Sequence, residues 1–321
     1  MICLKLIWIG SNYIKIQPMI DFIGDIHGYA DKLIELLEKL GYSNLNGVYS
    51  HPTRKALFVG DYIDRGPKIR ETLIIVRQMV ESGNAIALLG NHEYNAICFH
   101  YQEREGGHLR KHLIKNILQH YETLEQFQNR QDEYDNYIEW FKTLPLFHET
   151  NDFRAVHACW DSDNITFLSK NLTNDKLNEA SIHDSVKKGT DLYRTIEETL
   201  KGKEIPLPKG LSFFDKNGTE RHEIRIKWWQ DPIKSTARNI SVVPMRNLPN
   251  EPFDISKLHS TNYYPRYEKP VFFGHYWYKG FPKLLMRNVC CLDFSVAKDG
   301  FLVAYSYDGE KVLLNEKFTL V

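Results

Sequence analysis

Three segments of the chain place possible metal ligands directly after a glycine that follows an apolar run. They read Gly-Asp-Ile-His-Gly from Gly24, Gly-Asp-Tyr-Ile-Asp-Arg-Gly from Gly60, and Gly-Asn-His-Glu from Gly90. Ligands collect at the carboxyl ends of strands in open α/β sheets, because the loops converge there. Glycine beside such residues lets the backbone turn sharply and approach a bound ion or phosphate. The pattern therefore predicts a site for metal and anion chemistry at one sheet edge.

Two further histidines stand in the same relation to apolar runs, since one ends Phe-Arg-Ala-Val-His and the other follows Val-Phe-Phe-Gly. The predicted metal ligands are Asp25, His27, Asp61, Asn91, His157 and His275. Six ligands are too many for one catalytic zinc, which usually takes three from the protein. They suit two ions bridged by Asp61, with the first two residues on one ion and the last three on the other. Mixed oxygen and imidazole ligation favours manganese, with iron and zinc as alternatives, over magnesium or calcium.

The other polar residues of the motifs then have predicted roles in phosphoryl chemistry. Two ions about 3.5 to 4 Å apart can activate water and stabilise the attacking and leaving oxygens of a phosphoryl group. Arg65 offers a planar fork for two phosphate oxygens. A cationic His92 can protonate the departing oxygen, and Asp64 can hold that imidazole charged and oriented.

Alternating strands and helices must position these residues. Residues 20–24, 55–60 and 85–90 are predicted strands, separated by amphipathic helices that begin at an Asp31 N-cap and after Pro67. Apolar strands alternating with such helices indicate βαβ units and a largely parallel sheet.

Two insertions are predicted to interrupt this pattern. Residues 94–145 form a helical insertion, in which the apolar residues Leu113, Ile117, Tyr121 and Leu124 recur at helical spacing. Residues 160–265 are polar and proline-containing, and we expect a second insertion that acts as a lid or specificity region.

The remaining strands are predicted on either side of the second insertion. A fourth strand covers residues 153–157. Four closely spaced apolar runs, at 271–274, 289–294, 301–307 and 311–315, suggest an antiparallel meander at the end of the chain.

Taken together, GDIHG, GDYIDRG, GNHE, the strand ending at His157 and the final Gly-His pair resemble the calcineurin-like metallophosphoesterases. The resemblance is to the phosphoprotein phosphatase branch, in a bacterial-like form, and covers roughly residues 19–93, 151–160 and 270–307. It implies one domain, a four-layer αββα sandwich of mixed sheets with an inserted, partly helical lid, and a dinuclear metal centre. It also implies direct attack on phosphorus by a metal-bridging hydroxide.

The resemblance also assigns residues. The six predicted ligands fall on metal positions, Asp64 and His92 on an acid dyad, and Arg65 on a phosphate-binding position, where Asn91 also contributes. Arg225 is the candidate for a second phosphate-binding arginine. The chain departs from the family pattern after His157, where Ala158 and Cys159 occupy two positions that usually include a glycine, and 118 positions separate the last two metal histidines.

Composition excludes several other classes of protein. With 321 residues, 42% hydrophobic and 26% charged, the chain is typical of a folded globular protein. Its 41 basic and 41 acidic side chains sum to zero, so no global positive field favours duplex nucleic acid or a membrane surface. Five cysteines without framework spacing indicate reduced thiols and a cytoplasmic protein. Residues 1–18 are a possible non-core extension, and either Met1 or Met19 can be the start.

Three functional hypotheses remain open at this stage. The leading one is a phosphatase acting on phosphomonoesters, including phosphoserine or phosphothreonine of proteins, because Asp64 and Glu93 occupy places that favour the phosphatase branch. The alternative is a hydrolase of dinucleoside polyphosphates, such as diadenosine tetraphosphate, or of another nucleotide. A phosphate-binding module without catalysis would need a lost ligand or acid, and none is missing.

Overall fold

The core of the protein consists of two β-sheets that pack face to face. The computed structural model describes residues 19–104, 106–207, 210–214, 220–243, 248–252 and 254–321, and the backbone of 6–9 and 12–15. The strands are β1 (Leu6–Ile9), β2 (Asn12–Lys15), β3 (Met19–Ile23), β4 (Ser43–Leu45), β5 (Val48–Ser50), β6 (Arg54–Phe58), β7 (Ala85–Ala87), β8 (Phe147–Glu149), β9 (Arg154–Val156), β10 (Glu204–Pro206), β11 (Phe213–Phe214), β12 (Glu220–Arg221), β13 (Glu223–Arg225), β14 (Val271–Phe273), β15 (Val289–Cys291), β16 (Asp293–Phe294), β17 (Phe301–Tyr307) and β18 (Phe318–Leu320).

Helices cover the outer faces of both sheets and build most of the insertions. They are α1 (Ala30–Lys39), α2 (Ile69–Glu81), α3 (Asn91–His100), α4 (Ile114–Gln126), α5 (Gln131–Lys142), α6 (Ser162–Asn171), α7 (Glu179–Ser185), α8 (Asp191–Lys201) and α9 (Ala237–Ile240). No helix in the described residues is long and apolar enough to cross a membrane.

The larger sheet has the order β16-β17-β3-β6-β7, and β18 pairs with residues 303–305 of β17. Strands β3, β6 and β7 are parallel, as predicted, and β17 runs antiparallel to β3. The smaller sheet has the order β15-β14-β9-β8, in which β14 is parallel to both of its neighbours. The carboxyl ends of β3, β6, β7, β9 and β14 carry the loops that hold the predicted ligands.

Aromatic and aliphatic side chains fill the space between the two sheets. Phe22 of the larger sheet stacks on Phe272 of the smaller one, with ring centroids 3.7 Å apart. On the opposite faces, Ile23 and Phe58 pack in one cluster with α1 and α2, and Phe273 packs against Trp228 of the second insertion. Alternation along each strand thus gives two buried faces per sheet. The result is the four-layer αββα sandwich, and the predicted fold class is confirmed.

Three details of the predicted elements are wrong. Helix α1 begins at Ala30 after Tyr29, so Asp31 lies in its first turn and does not cap it. Residues 311–315 form no strand, because only Leu313 is buried there, and the last strand is β18. The run at 289–294 does not join an antiparallel meander as a whole, since β15 pairs in parallel with β14 in the other sheet.

The buried face of α4 also differs from the predicted one. The apolar residues at 113, 117 and 121 are exposed, and Leu124 is half-buried. The buried positions of the helix are His120 and Thr123. The helix therefore turns a polar face inward, which hydrophobic periodicity cannot predict.

The second insertion contains helices as well as short hairpins. Helices α6 to α8 pack on the smaller sheet, and β10 pairs with β13 over a small apolar cluster that includes Ile205, Ile224 and Ile240. Buried Lys203 joins the two ends of the insertion, because its Nζ lies 2.6 Å from Asp161 Oδ2 and donates to the carbonyl of Asn262 at 2.9 Å. A lid function for this region stays a prediction.

The cysteines within the described residues are all free and buried: Cys98, Cys159, Cys290 and Cys291. The fifth, Cys3, lies outside the described residues. Burial raises the pKa of the Cys290 and Cys291 thiols well above the usual range. Because the thiolate is the reactive form, these side chains act as core residues.

Candidate metal centre

Loops from the parallel strands of both sheets meet at one edge and are tied together by backbone hydrogen bonds. The amides of Ile26 and His27 donate to the carbonyl of Asp61 at 3.0 and 2.9 Å, and Gly274 N donates to the carbonyl of His157 at 2.9 Å. The short distance between the loops requires glycine. A Cβ on Gly90 would lie 2.4 Å from Asp61 Oδ1.

The first predicted ligand group lies after β3 and β6. His27 Nδ1 contacts the carbonyl of Ile63 at 3.0 Å, so the neutral ring donates there and presents a lone pair at Nε2. That buried Nε2 has no hydrogen-bond partner and lies 3.7 Å from Asp61 Oδ2. Burial, followed by the charge of His92, lowers the pKa of His27 to about 3. His27 is therefore neutral at ordinary pH, the form that binds metal.

The second group surrounds the amide of Asn91. His157 Nδ1 lies 2.9 Å from the carbonyl of Val59, while its Nε2 lies 3.0 Å from Asn91 Oδ1 and 3.4 Å from Asp61 Oδ1. His275 Nδ1 lies 2.7 Å from the same Asn91 oxygen. Burial, followed by the cation of Arg225, lowers the pKa of His275 well below its usual range. Lone pairs thus converge on one small volume.

Asp25 completes the set between these groups. Its Oδ2 accepts a hydrogen bond from the amide of His275 at 2.9 Å, and its buried Oδ1 has no partner. A Cβ on Gly274 would lie 1.8 Å from that Oδ1, so only glycine fits beside it. Burial, followed by the carboxylates of Asp293 and Asp61, raises the pKa of Asp25 well above its usual range. Several carboxylates in one buried pocket favour a bound cation.

The donor set fits two divalent ions. Among the described residues, the buried ligand atoms without a hydrogen-bond partner include Asp25 Oδ1 and His27 Nε2. Asp61 has one oxygen toward each side, since Oδ2 faces His27 and Oδ1 faces His157. Ligand atoms of Asp61, His157 and His275 all lie within 4.8 Å of one another, as do those of His27, Asp61 and His92. The other five predicted side chains are thus brought together around Asp61.

Backbone strain is concentrated at the same edge. Non-glycine residues rarely adopt a positive φ, and each such residue costs on the order of 1–3 kcal/mol. Six site residues do so: His27 (49°), Asp61 (57°), Asp64 (67°), Arg65 (73°), His275 (72°) and Trp277 (53°). The surrounding hydrogen bonds hold these conformations, which is typical of functional sites.

Glu93 stabilises the strained loop from beneath. Its Oε1 accepts hydrogen bonds from the amides of Tyr62 and Ile63 at 2.8 and 3.2 Å, and its Oε2 accepts from those of Asp61 and Gly90 at 2.9 and 3.1 Å. The carboxylate is fully buried and directed at the backbone. Glu93 therefore shapes the loop and does not face the ligand cluster.

The predicted acid dyad is in hydrogen-bond contact. His92 Nδ1 lies 2.5 Å from Asp64 Oδ2, and its Nε2 lies 3.9 Å from Asp61 Oδ2, at the edge of the ligand cluster. Burial opposes ionisation of Asp64, but His120 and His92 outweigh it and lower the pKa of Asp64 well below the usual range. Asp64 is thus a permanent anion next to the imidazole of His92.

The two predicted phosphate-binding arginines have different surroundings. Arg65 places its guanidinium carbon 5.0 Å from the centre of the Trp277 ring, and its buried Nε has no hydrogen-bond partner. Arg225 lies on β13 of the second insertion, where its Nε forms an ion pair with Glu204 at 3.1 Å. Its charge nevertheless acts on His275, so it borders the site from the insertion.

Sequence reasoning missed several residues of the site. Trp277 stacks on His27, with ring centroids 5.5 Å apart, and Asp293 Oδ2 accepts from the Trp277 amide at 2.7 Å. His120 and Thr123 both contact Asp64. Hydrophobic periodicity gives no signal for this pair, because both side chains are polar and other polar residues occur all around α4.

Comparison with known proteins agrees with this geometry. The chain belongs to the calcineurin-like phosphoesterase family, whose model matches residues 18–284. The family resemblance predicted from the motifs is therefore confirmed.

Two bacterial enzymes are among the similar proteins. The asymmetrical bis(5'-nucleosyl)-tetraphosphatase PrpE of Halalkalibacterium halodurans is 34% identical over 154 residues, which cover 47% of this chain and 61% of that protein. The symmetrical bis(5'-nucleosyl)-tetraphosphatase of a Marinomonas species is 30% identical over 171 residues, covering 50% and 53%. The chain thus matches little more than half the length of these relatives.

A solved structure of a Saccharomyces cerevisiae protein serine/threonine phosphatase is also similar. It covers 95% of this chain and 79% of its own, with a TM-score of 0.46 and 14% identity.

Proposed function

We propose that the protein is a metal-dependent hydrolase of dinucleoside polyphosphates, of the bis(5'-nucleosyl) tetraphosphate type. The observation that carries the proposal is the convergence of five donor side chains around a sixth, Asp61, with the Arg65 fork at the edge, in a chain similar to two bis(5'-nucleosyl)-tetraphosphatases. This is the alternative substrate class from the sequence, and it now takes precedence over phosphomonoesters.

Two divalent ions would occupy the ligand cluster. Asp25 and His27 would hold one ion and Asp61 would bridge, and the second ion would take Asn91, His157 and His275. When bound, the ions polarise phosphoryl oxygens and make water a better nucleophile at neutral pH. Manganese is the proposed metal, with iron or zinc as alternatives, because the donors mix oxygen and imidazole nitrogen.

The chain's own residues bind and orient the substrate and move one proton. Arg65 would grip two oxygens of the phosphate under attack, since no carboxylate among the described residues pairs with its guanidinium. Arg225 would contact the polyphosphate of the substrate from the side of the insertion. His92 would give a proton to the departing oxygen, because its Nδ1 is held by Asp64 and its Nε2 borders the cluster.

The position of Glu93 removes one reason for preferring the phosphatase branch. In the sequence, Glu93 was one of two residues that favoured phosphomonoesters. Its carboxylate is occupied by four backbone amides and lies beneath the loop, so it makes no direct contact with a substrate. Substrate choice must then depend on residues at the rim and in the insertion, such as Arg65, Trp277 and Arg225.

Phosphomonoester hydrolysis, including that of phosphoproteins, is the second candidate. The Asp64–His92 hydrogen bond favours it, because an alkoxide leaving group needs a proton more than an already acidic nucleoside phosphate does.

A direct comparison of substrates tests both candidates. Diadenosine tetraphosphate, a phosphoserine peptide and p-nitrophenyl phosphate are each incubated with the protein and Mn²⁺, and the nucleotide products are separated by chromatography. We expect kcat/KM for diadenosine tetraphosphate to be the highest by at least about tenfold. Faster turnover of the phosphopeptide would overturn the proposal in favour of the second candidate. An Asp61→Asn preparation, which loses a bridging ligand, controls for contaminating hydrolases.

A further inference from the structure

The inner face of α4 is built from polar side chains that reach toward the active site. Gln126 donates to the carbonyl of Gly66 at 3.0 Å and accepts from the amide of Ile69 at 2.6 Å. One and two turns earlier, Thr123 and His120 are almost fully buried. Burying polar groups is costly unless each one finds a partner, so this face must have partners.

Those partners meet at one carboxylate, that of Asp64. His120 Nδ1 lies 2.7 Å from Asp64 Oδ1, and the hydroxyl of Thr123 donates to the same oxygen at 2.6 Å. The Thr123 hydroxyl also accepts from the amide of Asp64 at 3.1 Å. Because both contacts fall on Oδ1, Oδ2 is left for His92 alone.

Donation to the Asp64 carboxylate gives the network a direction. If His120 donates from Nδ1 to Asp64, its neutral ring accepts at Nε2, and the hydroxyl of Tyr134 lies 2.6 Å from that atom. Tyr134 of α5 is fully buried, so its hydroxyl needs this partner. The chain Tyr134 to His120 to Asp64, with His92 on the other side, is therefore satisfied at every step.

We propose that His120 is a positioning residue for the reaction and acts on His92 through Asp64. The helical insertion thereby holds the carboxylate in the one orientation that keeps Oδ2 pointed at His92. Loss of His120 leaves a buried carboxylate oxygen short of a donor, and the side chain then turns toward other donors and releases the imidazole of His92. This inference rests on the proposed hydrolysis of phosphoesters and on the proton donation by His92.

The test compares leaving groups in three variants. His120→Phe removes both hydrogen bonds, His120→Asn keeps a donor near the position of Nδ1, and Tyr134→Phe removes only the far contact. Phenyl phosphate has a poor leaving group and p-nitrophenyl phosphate a good one, so only the first depends strongly on a proton donor. We expect His120→Phe to lower kcat about a hundredfold on phenyl phosphate and less than about fivefold on p-nitrophenyl phosphate, with KM unchanged.

The matched variant separates positioning from general damage. His120→Asn should recover kcat on phenyl phosphate to within about fivefold of the natural protein, and Tyr134→Phe should lose less than about tenfold. Equal losses on both substrates in His120→Phe, or no loss on either, would overturn the inference.

A readout independent of turnover covers the case in which no substrate is hydrolysed. The proton shared by His92 Nδ1 and Asp64 should give a far-downfield NMR resonance, which is assigned by its absence in His92→Asn. We expect that resonance to shift or disappear in His120→Phe and to persist in His120→Asn. An unchanged resonance in folded His120→Phe overturns the inference. If the natural protein hydrolyses no substrate but the resonance changes in His120→Phe, the inference is supported and only the proposed function is refuted.

Discussion

Asp25 and Asp64 are equally buried, yet the structure surrounds them in opposite ways. Asp25 has an oxygen without a hydrogen-bond partner and lies among other carboxylates, which raise its pKa. Asp64 has three side-chain donors, and two imidazoles lower its pKa. Burial alone therefore does not decide the state of a carboxylate. One region of the site requires cations from outside, and the other has its partners built in.

Replacing Asp61, the proposed bridging ligand, should have the largest effect, because both proposed ions of the first region depend on it. In Asp61→Asn we expect turnover of every phosphoester to fall at least about a thousandfold, together with loss of bound metal. Elemental analysis and steady-state kinetics measure the two effects. Asp31→Asn, at an exposed carboxylate on α1, is the control and should match the natural protein. Full metal content in Asp61→Asn would contradict a bridging role.

Replacing His92, in the second region, should lower activity without lowering the metal content. We expect His92→Asn to lower kcat on phenyl phosphate, which has a poor leaving group, about a hundredfold to a thousandfold while metal content stays that of the natural protein. The comparison of metal content with Asp61→Asn shows whether the two regions are separate. Loss of metal from His92→Asn would instead indicate that His92 is a metal ligand. This is the main alternative, because His92 Nε2 lies only 3.9 Å from Asp61 Oδ2.

Replacing Glu93, which lies beneath the loop that carries both regions, should lower the stability of the folded protein. Glu93→Gln replaces a carboxylate that accepts four backbone amides, and one end of the new side chain cannot accept. We expect the free energy of unfolding to drop by about 2–3 kcal/mol in urea denaturation. Glu38→Gln, at an exposed site on α1, should change it by less than about 0.5 kcal/mol. A similar value for both variants would show that the four contacts do not stabilise the loop.

The smallest effect is expected at the rim of the site. Arg65→Lys keeps the charge but loses the planar fork and its contact with Trp277, so we expect kcat/KM to fall about tenfold. Metal content should not change. Arg77→Lys, at a surface ion pair of α2, serves as the control. An unchanged kcat/KM in Arg65→Lys would mean that Arg65 makes no two-pronged contact with the substrate.

The sequence predicted the motif loops well because their residues are constrained locally. Glycines before Asp25, Asp61 and Asn91 end short apolar strands, and parallel strands bring those ends together, so local pattern and topology agree. The fold class was predictable for the same reason.

Contacts from the insertions were not predictable in this way. Hydrophobic periodicity assigned the wrong face of α4, since the buried side chains His120 and Thr123 are stabilised by a distant carboxylate. The surroundings of Arg225 depend on its ion pair with Glu204 across a hairpin. Such polar contacts between distant segments leave no periodic signal in one sequence.

The hydrogen bond from the amide of His275 to Asp25 joins residues 250 positions apart. A ribosome adds roughly 5–20 residues per second, so the two ends of this bond emerge roughly 12 to 50 s apart. During that interval β3 also lacks β17, its antiparallel neighbour. The site is therefore assembled only after His275 has emerged, and an ion held by the proposed ligands would be taken up after that point.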